Sequence, residues 1–205
     1  TAPVLELDPV RTMDDLGNGR LLIWTEDKLW VFDCTSASPL GSWSYPHTIR
    51  IEQVTNPRLN ICYFIEASRT LWRTDGTPAG TRVVMSKPEP WLYSIASHNS
   101  RILLSASGPN GQELWQSDGT AAGTSELRDI NPGPSHSAPR LAVGAAIGTY
   151  YYFAATTDVH GQELWRTDGT RAGTTLVADL RPNGASMVDR LTAIGNNLGF
   201  PARIS

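Results

Sequence analysis

Along the chain, short apolar runs alternate with turns rich in Gly, Pro, Asp, Asn and Ser, and no stretch carries a helical period. The passage from 149 to 196 shows the pattern best. Residues 149–155 (Thr-Tyr-Tyr-Tyr-Phe-Ala-Ala) are rich in aromatic side chains and predict a strand, here called a. A polar turn at Asp158, Val159, His160 and Gly161 leads to Glu163, Leu164, Trp165 and Arg166, strand b. Asp168, Gly169 and Thr170 begin a turn with glycines at Gly169 and Gly173. Strand c follows at 174–178, stopped by Asp179 and Pro182, and strand d at 190–195.

This order recurs. Tryptophans at Trp30, Trp72, Trp115 and Trp165 mark the b strands, separated by 42, 43 and 50 residues. A supersecondary unit of that period cannot bury its apolar face alone and implies stacked neighbours. Four strands about every 45 residues predict an all-β fold, a small β-propeller. The copies run roughly over 20–58, 59–100, 101–148 and 149–196, with partial copies at 1–19 and 197–205, so 1–205 reads as one repeat domain. Five blades are favoured, the last incomplete and holding both termini. A four-bladed ring with spare terminal strands, or a ring completed by a partner chain, are the alternatives. Within the b strand, leucine before the tryptophan and mostly arginine or glutamine after it suggest alternation of buried and exposed faces.

The residues Glu-Leu-Trp, then Ser/Thr-Asp-Gly-Thr-x-Ala-Gly-Thr and a closing Asp-Ile/Leu-x-Pro, run from Glu113 to Pro132 and from Glu163 to Pro182. Copy two keeps Leu71 to Thr81 but ends in Met85-Ser86-Lys87-Pro88, and copy one keeps little beyond Leu29-Trp30. This pattern closely resembles the bacterial ELWxxDGT repeat family. The resemblance implies a repeat protein, usually part of secreted or surface-exposed bacterial proteins, and implies no reaction, because fold alone does not supply function.

Composition narrows the classes. A net charge of -3 without a basic block gives no footprint for nucleic acid, and no apolar run is long enough for membrane insertion. Cys34 and Cys62 fit a disulfide or two buried thiols. The chain starts at Thr1, which fits a removed leader as well as a trimmed sequence and leaves the compartment open; the family resemblance implies secretion or a cell-surface place, with the cytoplasm as alternative.

Each candidate site has a competing structural role. The repeated tryptophans read as wedges between sheets rather than ligand platforms. Asp75, Asp118 and Asp168 read as turn residues bonding their own backbone, since each turn has a single acid where a calcium loop gathers several. Asp8, Asp129 and Asp179 precede the c-strand proline in three copies. Clustered on one rim they would suit a cation such as calcium, and otherwise each caps its own turn. Copies that depart from their siblings add Trp43, Tyr45 and His47, then Trp91 and Tyr93 near His98, and His136 in an exposed-looking loop. Flat apolar faces with polar handles suit a glycan or peptide, although decay of neutral repeats yields the same pattern. No nucleophile elbow, phosphate loop or metal-ligand helix motif is present, so no catalytic residue is assigned and no cofactor is expected. The leading expectation is a non-catalytic binding module. A rim hydrolase or lyase built from Asp and His, and a structural or oligomer-forming module, are the alternatives.

Overall fold

The computed structural model describes residues 10–17, 19–25, 28–33, 37–42, 53–56, 60–86, 92–182, 184–186 and 188–201. They form eighteen strands and no helix. The first sheet is β1 (Thr12–Gly17), β2 (Arg20–Trp24), β3 (Lys28–Phe32) and β4 (Ala37–Ser42), hydrogen-bonded in chain order. The second is β5 (Gln53–Asn56), β6 (Ile61–Glu66), β7 (Thr70–Thr74) and β8 (Arg82–Ser86). The third is β9 (Leu92–His98), β10 (Arg101–Gly108), β11 (Gly111–Ser117) and β12 (Ser125–Arg128). The fourth is β13 (Arg140–Ile147), β14 (Tyr150–Thr157), β15 (Gly161–Thr167) and β16 (Thr175–Ala178). A two-stranded sheet, β17 (Thr192–Ile194) and β18 (Asn197–Gly199), follows.

All pairings are antiparallel, so each four-stranded sheet is a meander in the order d-a-b-c. The sheets therefore start one strand before the copies read from sequence, with strand d leading. The d–a turns explain part of that choice. Asn99, Gly148 and Gly195 sit at the same turn position with φ of 56°, 59° and 60°, a conformation that glycine and asparagine accept and that closes tight hairpins.

Every b strand carries one irregularity at the same place. Register shifts between Leu29 and Trp30, Leu71 and Trp72, Leu114 and Trp115, and Leu164 and Trp165. Opposite each step strand c holds one extra residue: Leu40, Val84, Leu127 or Val177. A bulge of this kind bends the edge strand and strengthens its twist.

The chain divides into two compact units, Thr1–Ser86 and Lys87–Ser205. In the first, Leu22, Leu29 and Leu40 of the first sheet form one core with Phe64 and Trp72 of the second. Phe64 and Trp72, cross-strand partners, stack with ring centroids 6.1 Å apart. In the second unit, Leu103, Leu114 and Leu127 pack with Tyr151, Phe153 and Trp165 of the following sheet. A further cluster joins Ala154 and Leu164 to Val188 and Leu191, with Tyr152, Leu198 and Phe200 packed on it. Inside each unit the d strands touch: β1 meets β5, and β13 meets both β9 and β17.

The expected alternation of buried and exposed faces does not hold in the b strands. Leu114 and Trp115 are adjacent and point to opposite faces, yet both are buried, as are Leu164 and Trp165. In the third and fourth sheets both faces of strand b are buried at this point, so neighbouring positions are apolar together, while Trp30 and Trp72 of the first two sheets are half-buried.

Candidate functional site

The two ends of each sheet are built differently. At one end lie the b–c turns. In the third sheet Asp118 Oδ1 accepts from Thr120 N at 2.9 Å and Thr120 Oγ1 at 2.7 Å, and Thr120 Oγ1 accepts from Gly123 N at 3.0 Å. The hydroxyl of Ser117 accepts from Gly119 N and meets Thr124 Oγ1 at 2.7 Å. The same network recurs around Asp75 and Asp168. Hydrogen bonds from Thr120 and Thr170 hold the Asp118 and Asp168 carboxyls below the ordinary aspartate range. A Cβ on Gly80, Gly123 or Gly173 would fall within 2.2 Å of the aspartate carboxyl of its own turn. The triplet and the later glycine are one interlocked turn, and the aspartate is consumed by it.

The other end of the second unit's sheets, made of a–b turns and c–d loops, is chemically richer. Ser107 and Gln112 face each other across β10 and β11. Ser107 Oγ donates to the hydroxyl of Tyr93 at 3.3 Å, and Tyr93 is 42% exposed. Gln112 N donates to Nδ1 of the exposed His136 at 2.8 Å, which leaves Nε2 to carry the ring proton. Tyr93, Ser107, Gln112 and His136 thus follow one another along a single sheet end.

A buried acid fixes the loop that presents His136. Glu113 is fully buried, and its carboxylate accepts from Ile130 N at 2.7 Å, Ser137 N at 3.0 Å and Ser137 Oγ at 2.5 Å. Gln112 O accepts from Ser137 N and Ala138 N as well. Both ends of the loop are therefore tied to the start of strand b. Burial pushes the Glu113 pKa up to about 7 against those hydrogen bonds, with the charge of Asp129 adding to it. Glu163 repeats the clamp in the fourth sheet, accepting from Leu180 N at 2.9 Å and Ser186 N at 3.1 Å. In copy two Thr70 stands at the Glu113 position, and its hydroxyl meets that of Ser86, its cross-strand partner, at 3.2 Å.

Asp129 and Asp179 sit in equivalent positions with different partners. Asp129 Oδ2 accepts weakly from Gly133 N at 3.5 Å. Asp179 Oδ2 lies 3.0 Å from Nδ1 of His160, and the two side chains are 27% and 38% exposed. Among the described residues no group of three or more His, Cys, Asp and Glu is placed to hold a metal ion. Asp129 and Asp179 thus stand in different sheets, each with a partner from its own sheet or loop, and Asp8, the third member of the expected rim cluster, lies outside the described residues. Asn131 and Asp158 link the third c–d loop to the fourth a–b turn: Asn131 Nδ2 donates to Asp158 Oδ1 at 3.2 Å, and Asp158 N donates to Asn131 Oδ1 at 3.0 Å.

Of the sequence candidates, Trp43, Tyr45, His47, Trp91 and Asp8 lie outside the described residues, as does Cys34. Tyr93 and His136 share one sheet end. His98 does not join them: it is buried at the opposite end, with Nε2 2.8 Å from Thr149 O. His160, read from sequence as a plain turn residue, gains a carboxylate partner. Glu113 and Glu163 carried one overlooked signal: the copies with glutamate before Leu-Trp are the same ones that keep the Asp-Ile/Leu-x-Pro ending.

No protein-family model matches the chain, and no curated protein matches it. Solved structures do. The computationally designed Ika8 protein aligns over 95% of this chain and 55% of its own, with 15% identity and a TM-score of 0.56. The fold is β-propeller-like. A second designed protein, Ika4, aligns over 81% of this chain and 92% of its own at 17% identity, TM-score 0.50. Puromycin hydrolase (the S511A mutant complexed with PGG) aligns over 98% of this chain and 35% of its own at 12% identity, TM-score 0.56. The chain thus spans about half the length of Ika8, and at these identities the likeness concerns the fold alone.

Proposed function

We propose that this chain is a non-catalytic ligand-binding propeller module that recognises a glycan or peptide on the end of the sheets carrying the a–b turns. The observation that supports it is the pairing of Tyr93 and His136: both are exposed, both have a polar atom fixed by a hydrogen bond, and both stand at one end of the third sheet. An exposed aromatic face beside oriented hydroxyl and imidazole groups suits polyhydroxylated or amide-bearing ligands, and its pre-set geometry lowers the entropy lost on binding. Within this reading the chain is a repeat protein of the ELWxxDGT kind, secreted or surface-exposed. β17 and β18 take the d and a positions of a fifth blade. Broad glycan and peptide arrays should yield a ligand whose affinity drops at least tenfold in Tyr93→Ala and in His136→Ala with unchanged circular dichroism. Blank arrays, or a ligand indifferent to both substitutions, would refute it.

One observation favours a second reading, a rim hydrolase or lyase. The His160–Asp179 pair at 3.0 Å resembles a base oriented by a carboxylate. A hydrolytic or lyase activity lost in His160→Ala would support it, and activity that survives that change would remove the pair from consideration.

A further inference from the structure

Copy three carries a histidine where its sibling carries none. Ser137 and Ser186 are equivalent: each amide donates to a buried glutamate and to the carbonyl of the residue before that glutamate, Gln112 or Gln162. One residue earlier, His136 therefore corresponds to Ala185. Both loops also lie on the glycine that opens strand b. A Cβ on Gly111 would fall 2.6 Å from Ser135 O, and one on Gly161 would fall 2.5 Å from Gly184 O. The two loops thus follow the same course, and the fourth does so without an imidazole. The scaffold does not require His136.

What the histidine adds is a bond that depends on its proton. Gln112 N donates to Nδ1 at 2.8 Å, and the ring is exposed. A neutral imidazole has one acceptor nitrogen, whereas an imidazolium carries N–H on both and has none. Docking on Gln112 N and protonation therefore exclude each other. In the neutral state the bond fixes the ring and presents Nε2–H at the same sheet end as Tyr93. In acid the second ring N–H would meet the amide donor against donor, and the exposed side chain has solvent to turn into.

The elements around the loop bring other ionisable groups. Tyr93 comes from β9, Glu113 from β11, Glu126 and Arg128 from β12, and Asp129 from the base of the loop itself. The fourth a–b turn, tied to the loop through Asn131, adds Asp158 and His160. Arg140, at the start of β13, is paired with Asp189 at 3.3 Å. Glu113, pushed up to about 7 by burial, changes charge in the same range as an ordinary histidine.

We infer that His136 is a proton-operated latch at the Tyr93 end of the third sheet: neutral, its ring docks on Gln112 N and completes the ligand surface, and protonated it lets go. The consequence for a ligand rests on the reading of this end as a binding surface, while the latch itself rests only on the bond between Gln112 and His136. A ligand held there is gripped at neutral pH and released by acid, because protonation removes the fixed geometry that lowers the entropy lost on binding.

Amide hydrogen exchange at Gln112, read by NMR without any ligand, tests the latch. Its protection factor, which corrects for the intrinsic pH dependence of exchange, should fall at least tenfold between about pH 8 and about pH 5. His136→Asn puts a carbonyl oxygen where Nδ1 stands, an acceptor that does not ionise, and should keep the high protection throughout. His136→Ala should lack that protection at both ends of the range. In the wild type at about pH 8, the ring nitrogen shifts should place the proton on Nε2. Constant protection in the wild type overturns the latch, and so does a ring proton on Nδ1. An acid-dependent fall that persists in His136→Asn also overturns it, since Glu113 would then be the group responsible. With no ligand in the sample, failure here leaves the binding surface to be judged by the array experiment alone.

Discussion

Replacing Glu113 by glutamine keeps the shape of the loop clamp and removes its charge. The carboxyl is fully buried and keeps its proton up to about pH 7 in the folded protein, against 4.5 for an ordinary glutamate. A group that binds its proton more tightly when folded stabilises the fold fully below the unfolded value of 4.5, and that contribution is lost as pH rises through about 7. The interval corresponds to at most about 3 kcal/mol. Glutamine does not titrate, so the difference in unfolding free energy between wild type and Glu113→Gln isolates this group from every other. The amide still leaves one donor facing the Ile130 and Ser137 donors, at about 1–3 kcal/mol, but that cost does not vary with pH. Urea unfolding followed by tryptophan fluorescence at pH 4.5 and at about pH 8 gives the two differences. The variant should gain on wild type as pH rises, by up to about 3 kcal/mol. A difference that stays flat with pH, or that moves toward wild type, would refute the assignment of burial as the dominant influence on this carboxyl.

Two further substitutions probe the scaffold. Gly123→Ala drives a Cβ to about 2.1 Å from the Asp118 carboxyl, which two bonds from Thr120 hold in place; a loss of about 1–3 kcal/mol is expected in thermal melts, and no loss would show that the turn yields freely. Tyr151→Phe removes the buried hydroxyl that donates to Leu141 O at 2.6 Å and leaves that carbonyl unsatisfied; denaturant unfolding should show about 1–3 kcal/mol of destabilisation, and an unchanged midpoint would contradict the bond.

Much of the scaffold is legible in the chain itself. The spacing of Trp72, Trp115 and Trp165 marks strands that do occupy the interior of four-stranded sheets, and Asp118-Gly119-Thr120 does form a self-bonded turn. The phase of the repeat is not legible, because a repeating string has no mark showing where one sheet ends. That boundary is set by backbone pairing such as Arg101 with His98. Nor does one-dimensional alternation reveal burial on both faces, since Leu114 and Trp115 occupy consecutive positions and each finds its own cover. The site residues were harder still. Glu113 meets Ile130 and Ser137, and His160 meets Asp179, across separations of 17, 24 and 19 residues that only the return of the chain to the same sheet end brings together.

The loop clamp also constrains how the copies can drift apart. An isolated glutamate at the Glu113 position, without amides returning to meet it, would strand a charge in the interior; the returning loop without the glutamate would strand its amides instead. Divergence must therefore proceed by concerted exchange: copy two, with Thr70 in place of the glutamate, has also lost the Asp-Ile-Asn-Pro ending that supplies the Ile130 amide, and its Thr70 hydroxyl meets Ser86 instead.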